Sequence, residues 1–321
     1  MASSKSVVIA ALIANGAIAV LKFIGFTLTG SAAMLSETYH SISDTGNQVF
    51  LLVGLRYSKR EADRTHPFGY GKAQFFYAFL VAVLLFGIAG WESAKHGYEA
   101  IVHPHPVTPG TATVPVVGAT IPAVWVNYGV LIGAIIFEAY ALWKAYQGLS
   151  KQMEKHGWTT LREAFQKTSD VTTLTAFTED SIAMGGAGIA LIGVYLSRVT
   201  GNPIYDAVAS FLIGLMLMGF ALALAWENKR LLVGESLPEE DERPLREIVA
   251  DWDGVESVGG FRTVYFGVEQ ILVTADVAFE RDLDAATINQ RISDIEAALQ
   301  EREPQVRKVY IEPEVQSAPN A

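Results

Sequence analysis

Apolar residues in this chain gather into blocks of about 20, the length a helix needs to cross a hydrocarbon core, with polar residues crowded between them. The blocks fall near 6–28, 32–55, 73–93, 124–146, 171–197 and 203–227, and predict six membrane-spanning helices. A Pro- and Gly-rich loop introduces the fourth, and Asn202-Pro203 is a turn signal ahead of the sixth. The opening run MASSKSVVIAALIANGAIAVL has a longer apolar core than a signal peptide and lacks its small-residue cleavage site. It is expected to be a retained first span.

From residue 236 onward the pattern changes. Leu245, Ile248, Val249 and Trp252 recur at helical spacing, and Ile271, Val273, Ala275, Val277 and Phe279 alternate with polar residues as in a strand with one covered face. Ile288, Ile292, Ile295 and Leu299 form a second helical stripe, with Asp284 placed to cap it. Segments 255–266 and 306–311 read as further strands. The order helix-strand-strand-helix-strand predicts a small ferredoxin-like α+β domain, with helices on one face of an antiparallel sheet, soluble and cytoplasmic. The expected division is a six-span domain over 1–233, the α+β domain over 234–314, and a disordered tail over 315–321.

The 321 residues are half hydrophobic and 18% charged, as six spans require. The formal net charge of −10, much of it in the C-terminal region, argues against nucleic acid as a partner. With no cysteine there is no disulfide, thiolate metal site or cysteine nucleophile. No G-x-x-x-x-G-K-[ST] loop occurs, so ATP-driven transport by this chain is not expected. Basic residues sit on alternate loops: Arg56, Lys59, Arg60, Arg64 and Lys72 after span two, Lys144, Lys151, Lys155, Arg162 and Lys167 after span four, Lys229 and Arg230 after span six. The other side offers only Lys95 and Arg198. That asymmetry predicts cytoplasmic termini.

Charge at membrane depth costs at least ~2.5–3.5 kcal/mol, so each ionisable residue in a span needs a reason. In span two, SAAMLSETYHSISDTGNQVFLLVGL, His40 and Asp44 are four apart and share a helix face. They lie ~15 and ~20 Å from the outer boundary, and Asp180 of span five ~14 Å from the inner one. One imidazole with two or three carboxylates near the midplane suits Zn²⁺, and less selectively Fe²⁺, Mn²⁺ or Co²⁺. A structural His-Asp cluster and a pure proton relay are the competing readings. Glu37, one turn above His40, is a candidate entrance or extra ligand. Glu179 adjoins Asp180 but points ~100° away around the helix, so one of the two is expected to face His40. Glu138 is a candidate for proton traffic or for pairing with a lysine. Lys22 is expected to snorkel, and Asn15 and Asn47 to act as interhelical hydrogen-bond partners. Asp63 and His66 in ADRTHPFGYGKAQ form a candidate second site, and His103 and His105 a candidate outer gathering site.

The combination of six spans, TGSAAMLSETYHSISDTGNQ, HPFGYGKAQ, LLVGESLPEE and an α+β tail resembles the cation diffusion facilitator family of metal-proton antiporters over nearly the whole chain. Asn47-Gln48 and Glu179-Asp180 look most like its zinc-transporter-nine-like branch. The resemblance implies a tetrahedral transport site with two ligands four apart on span two and two four apart on span five. His40 and Asp44 match the first pair and Asp180 the last ligand, whereas the remaining position holds Ala176, which cannot coordinate. It leaves Glu179, Glu37 or water as the fourth ligand. It also implies a loop site at Asp63, His66 and the position of Tyr70, weakened by that tyrosine. Lys72 is implied to pair with Glu235 after span six. With no histidine after His156, the tail is expected to dimerise without a histidine-rich metal site.

The function so expected is a homodimeric secondary transporter, not an enzyme, with no tightly bound cofactor. It would sit in a cell inner membrane and export a divalent metal ion in exchange for protons. A proton-coupled carrier of another solute, or a membrane scaffold with vestigial transport, are the rival readings.

Overall fold

A computed structural model describes residues 2–104, 111–113, 120–157, 159–161, 171–268 and 270–314. His105, Arg162, Lys167, the 315–321 tail and the side chains of Ala176 and His156 lie outside the described residues.

The long helices are α1 (Ala2–Thr29), α2 (Ala32–Ser58), α3 (Ala73–Val102), α4 (Val124–His156), α5 (Val171–Thr200) and α6 (Ile204–Val233). They stand where the apolar blocks predict them. They overrun the blocks, most of all α3, to Val102 instead of 93, and α4, to His156 instead of 146. A π-helical segment at Leu85–Gly90 interrupts α3. Among the described residues, four stretches are by length and composition able to cross a membrane: Ala73–Val102, Val124–Lys151, Phe177–Thr200 and Ile204–Val233. The hydropathy of α2 is diluted by polar residues, although Ile42, Val49 and Val53 on it lie open as lipid or a partner demands. Between α3 and α4, β1 (Thr111–Thr113) and β2 (Thr120–Pro122) form a short antiparallel ladder.

The chain divides into two compact units, residues 1–49 with 81–223, and residues 50–80 with 224–321. In the first, small residues let helices meet backbone to backbone. Gly97 of α3 lies against the backbone of Phe211 in α6, Gly214 of α6 against that of Ala94, and Gly90 against Met218. The α1–α2 turn is made by Gly30, whose φ of 67° closes α1 and whose N–H donates to Phe26 O at 2.7 Å.

The second unit holds α7 (Glu239–Ala250), β3 (Val255–Gly267), β4 (Gln270–Phe279), α8 (Ala285–Arg302) and β5 (Val306–Glu314). Alternation in β4 buries Ile271, Val273, Ala275, Val277 and Phe279 against Leu245 and Val249 of α7 and Ile295 and Leu299 of α8. Asp284 caps α8 by accepting from Thr287 N at 2.8 Å, and that bond holds its carboxyl below the usual range. The sheet order is β3-β4-β5. It is mixed, not antiparallel as expected: β3 and β4 form an antiparallel hairpin, but β4 and β5 are parallel. The crossover through α8 returns the chain in its original direction, which a parallel pair requires.

Gly97→Val and Gly214→Val are each expected to abolish monodisperse protein on size exclusion in detergent, because the new side chain meets backbone. Gly133→Ala, with no atom within 4 Å of a new Cβ, is expected to elute as wild type.

Candidate metal centre

Positions 37, 40 and 44 follow one another along a single face of α2. His40 is 1% exposed. Its Nδ1 stands 3.4 Å from Asp44 Oδ1, without hydrogen-bond geometry, and among the described residues neither ring nitrogen has a hydrogen-bond partner. Glu37 is fully buried. Its Oε2 accepts from Lys22 Nζ of α1 at 2.7 Å, while Oε1 has no partner among the described residues and lies 2.7 Å from where a Cβ on Gly186 of α5 would stand. Lys22 therefore does not snorkel. At 3% exposure its ammonium has turned inward, because a carboxylate at 15 residues' separation offers a charged partner where the dielectric is low.

From α5, Glu179 accepts a hydrogen bond from Asn47 Nδ2 at 2.9 Å, nearly one turn past Asp44. Asn47 is thus the interhelical partner its position predicts, and Glu179 is the member of the Glu-Asp pair that touches α2. Asp180 is half-buried beside it. Among the described residues, no three His, Asp or Glu side chains stand together closely enough to hold an ion. What α2 does present is a run of buried polar atoms without partners: Glu37 Oε1, both His40 nitrogens, Asn47 Oδ1 and Gln48 Oε1. Buried polar atoms are ordinarily satisfied, so this run is an exception that sets the face apart. Glu138 of α4 is half-buried and forms no ion pair among the described residues.

The entry of α2 is fixed from α6. Ser31 Oγ accepts from Met34 N at 3.2 Å and donates to Asp206 Oδ1 at 2.7 Å, and Asp206 Oδ2 accepts from Ala32 N at 2.6 Å. A carboxylate against free helix N–H groups is well placed for both bonding and dipole. Ser36 Oγ meets Ser210 Oγ at 2.7 Å, and Ser210 donates to Ser93 O, fastening α2, α6 and α3 together. Asp206 is missing from the candidates named by sequence. The available signal is an acid in the first turn of an otherwise apolar span.

The loop candidate is built differently. Asp63 Oδ1 accepts from Thr65 N, Thr65 Oγ1 and His66 N at 2.7–2.8 Å, and Oδ2 accepts from Tyr70 OH at 2.7 Å. These bonds, the Thr65 hydroxyl first, hold its carboxyl well below the usual range, and the bond to Asp63 raises the Tyr70 phenol. His66 stacks on Tyr70 at 4.0 Å between centroids. Both Asp63 oxygens accept bonds within the turn, so the structure brings these residues together as a fold element. Lys72 donates to Leu232 O at 3.3 Å, and Glu235 pairs with Arg230. The expected Lys72–Glu235 pair is not formed: the ammonium is taken by a main-chain carbonyl and the carboxylate by Arg230. His103 is exposed and, with His96 and Glu99, lines a cavity of about 530 Å³ at the Gly30–Ser31 turn.

Residues 8–233 match the cation efflux transmembrane domain, and residues 237–315 the cation efflux protein cytoplasmic domain. The chain belongs to the cation efflux family. Members of this family are metal transporters spanning the membrane several times, not enzymes. The proton-coupled zinc antiporter SLC30A9, mitochondrial, of Mus musculus is 28% identical over 274 residues, 85% of this chain and 46% of that protein. Metal tolerance protein C4 of Arabidopsis thaliana is 27% identical over 276 residues, 86% and 57% of the two chains. Cation-efflux pump FieF of Escherichia coli O127:H6 is 27% identical over 244 residues, 76% and 70%. The chain thus spans about half the length of the SLC30A9 relatives it matches.

A carboxylate held low stabilises the fold above its unfolded pKa and loses that contribution only as pH falls through its folded one. The 62–70 turn is therefore expected to stay protected in hydrogen exchange down to about pH 4, near the ordinary Asp value. Asp63→Ala should expose the Thr65 and His66 amides while leaving the number of tightly bound metal ions unchanged.

Proposed function

We propose that the chain exports a divalent metal cation from the cytoplasm in exchange for protons, with Zn²⁺ the foremost candidate and Fe²⁺, Mn²⁺ and Co²⁺ after it. His40, Asp44 and Asp180 bind the ion, and Glu179 leaves Asn47 to complete the shell in place of the ligand that Ala176 lacks. The observation that carries this reading is a fully buried imidazole with both nitrogens unpartnered beside a carboxylate. Neutral His40 ligates; once the ion has left, the same lone pair takes a proton, so metal and proton exchange at one group. Rocking of the helices about the site would expose it to each face in turn.

The name of the SLC30A9 relatives, proton-coupled zinc antiporter, supports the exchange. The match of the tail to the cytoplasmic domain supports a dimer with cytoplasmic termini in a cell inner membrane, built from a transport domain over 1–233 and an α+β domain over 234–314.

In proteoliposomes, His40→Ala and Asp44→Ala are each expected to lower Zn²⁺-dependent proton flux at least 100-fold, and Asp180→Ala at least 10-fold. Wild-type flux in both α2 variants would end the assignment. A metal competition assay with Glu179→Ala checks the fourth ligand, with about tenfold weaker binding expected.

A further inference from the structure

We propose that Lys22 is a tethered cation that competes with the transported metal for Glu37, so that the ion entering the site displaces the Lys22 ammonium and takes Glu37 as a ligand. This rests on the transport-site reading above and assigns a role to two residues that reading leaves unused.

Four observations meet here. The Lys22–Glu37 pair is buried on both sides, 3% and 0% exposed, at 2.7 Å. Removing two charges from water costs more than their attraction commonly returns, and an apolar pair of the same volume is often as stable or more so. A pair kept for packing alone has little reason to be charged. Next, only one Glu37 oxygen is used: Oε1 is buried and without a partner. Glu37 also precedes His40 by three residues on the same face of α2, and both His40 nitrogens are equally unpartnered. Finally, the contact with α5 is cleared for this carboxylate, since any Cβ at position 186 would collide with Oε1.

The exchange follows from charge. On the face of α2 that carries His40 stand Glu37 and Asp44, Glu179 of α5 is bonded to Asn47 nearly a turn further on, and Lys22 is the cation bonded to Glu37. A divalent ion arriving at His40 attracts the Glu37 carboxylate and repels the ammonium. The lysine stem, with its rotatable bonds, can swing the ammonium aside while α1 stays in place. When the ion departs, the ammonium returns to Glu37 and opposes rebinding. Glu37 thereby adds a carboxylate from α2 to the proposed shell, and the lysine keeps the affinity low enough for release.

The test is equilibrium Zn²⁺ binding to the full chain in detergent at pH 8, by competition with a chromophoric chelator, with turnover measured in proteoliposomes. Lys22→Met should bind Zn²⁺ at least tenfold more tightly than wild type and turn over more slowly. Lys22→Arg, whose planar fork grips a carboxylate through two bonds, should bind at least tenfold more weakly. Glu37→Gln should weaken binding, and Lys22→Met/Glu37→Gln should match Glu37→Gln, because the lysine acts through Glu37. Unchanged affinity in Lys22→Arg overturns the proposal even if Lys22→Met does not fold. So does a double variant restored to wild-type binding, the signature of a merely structural pair. Absence of Zn²⁺ binding in wild type would overturn the transport-site reading as well, whereas failure confined to the lysine variants leaves that reading standing.

Discussion

The cost of holding charge out of water governs this structure. On α2, Glu37, His40 and Asp44 succeed one another down one face of a helix with apolar neighbours on every side, and such a helix cannot stand in hydrocarbon alone. Its surroundings are arranged around that debt. Lys22 reaches in from α1, Asn47 reaches out to Glu179 on α5, Gly186 withdraws to admit a carboxylate, and Asp206 on α6 anchors the first turn.

The compensation is uneven. Asp206 and the serines at 31, 36, 93 and 210 are drawn into hydrogen bonds at the entry of α2, whereas deeper along it a succession of nitrogen and oxygen atoms is left without partners. Such a gradient separates the part of the helix that holds the fold from the part proposed to meet the ion. The loop between α2 and α3 makes the opposite choice: the Tyr70 hydroxyl donates to Asp63 and pins the turn.

Much of this was legible in the residue order. Span positions follow from a length imposed by the bilayer, and the tail from two periodicities that a sheet and a helix cannot share. The spacing of His40 and Asp44 reveals a common face because four residues make about one turn. Pairing across helices is not written that way. Lys22 and Glu37 are separated by the turn at Gly30, and nothing in either local pattern says that the lysine points inward. The direction of β5 depends on where α8 returns the chain, and the engagement of Glu179 over Asp180 on a rotation of α5 smaller than spacing arguments resolve. Ala176, by contrast, is visible as a gap only when a ligand pattern is laid over the sequence.

The glycine contacts between α3 and α6 carry a mechanical implication. Where Gly97 and Gly214 press against main chain, no side chain stands between the helices to change rotamer and let one slip past the other. The two are geared together at that level. A carrier that must alternate between faces has to place its shear elsewhere, along seams lined by side chains long enough to yield, and the α3–α6 crossing then serves as the part of the frame that stays still.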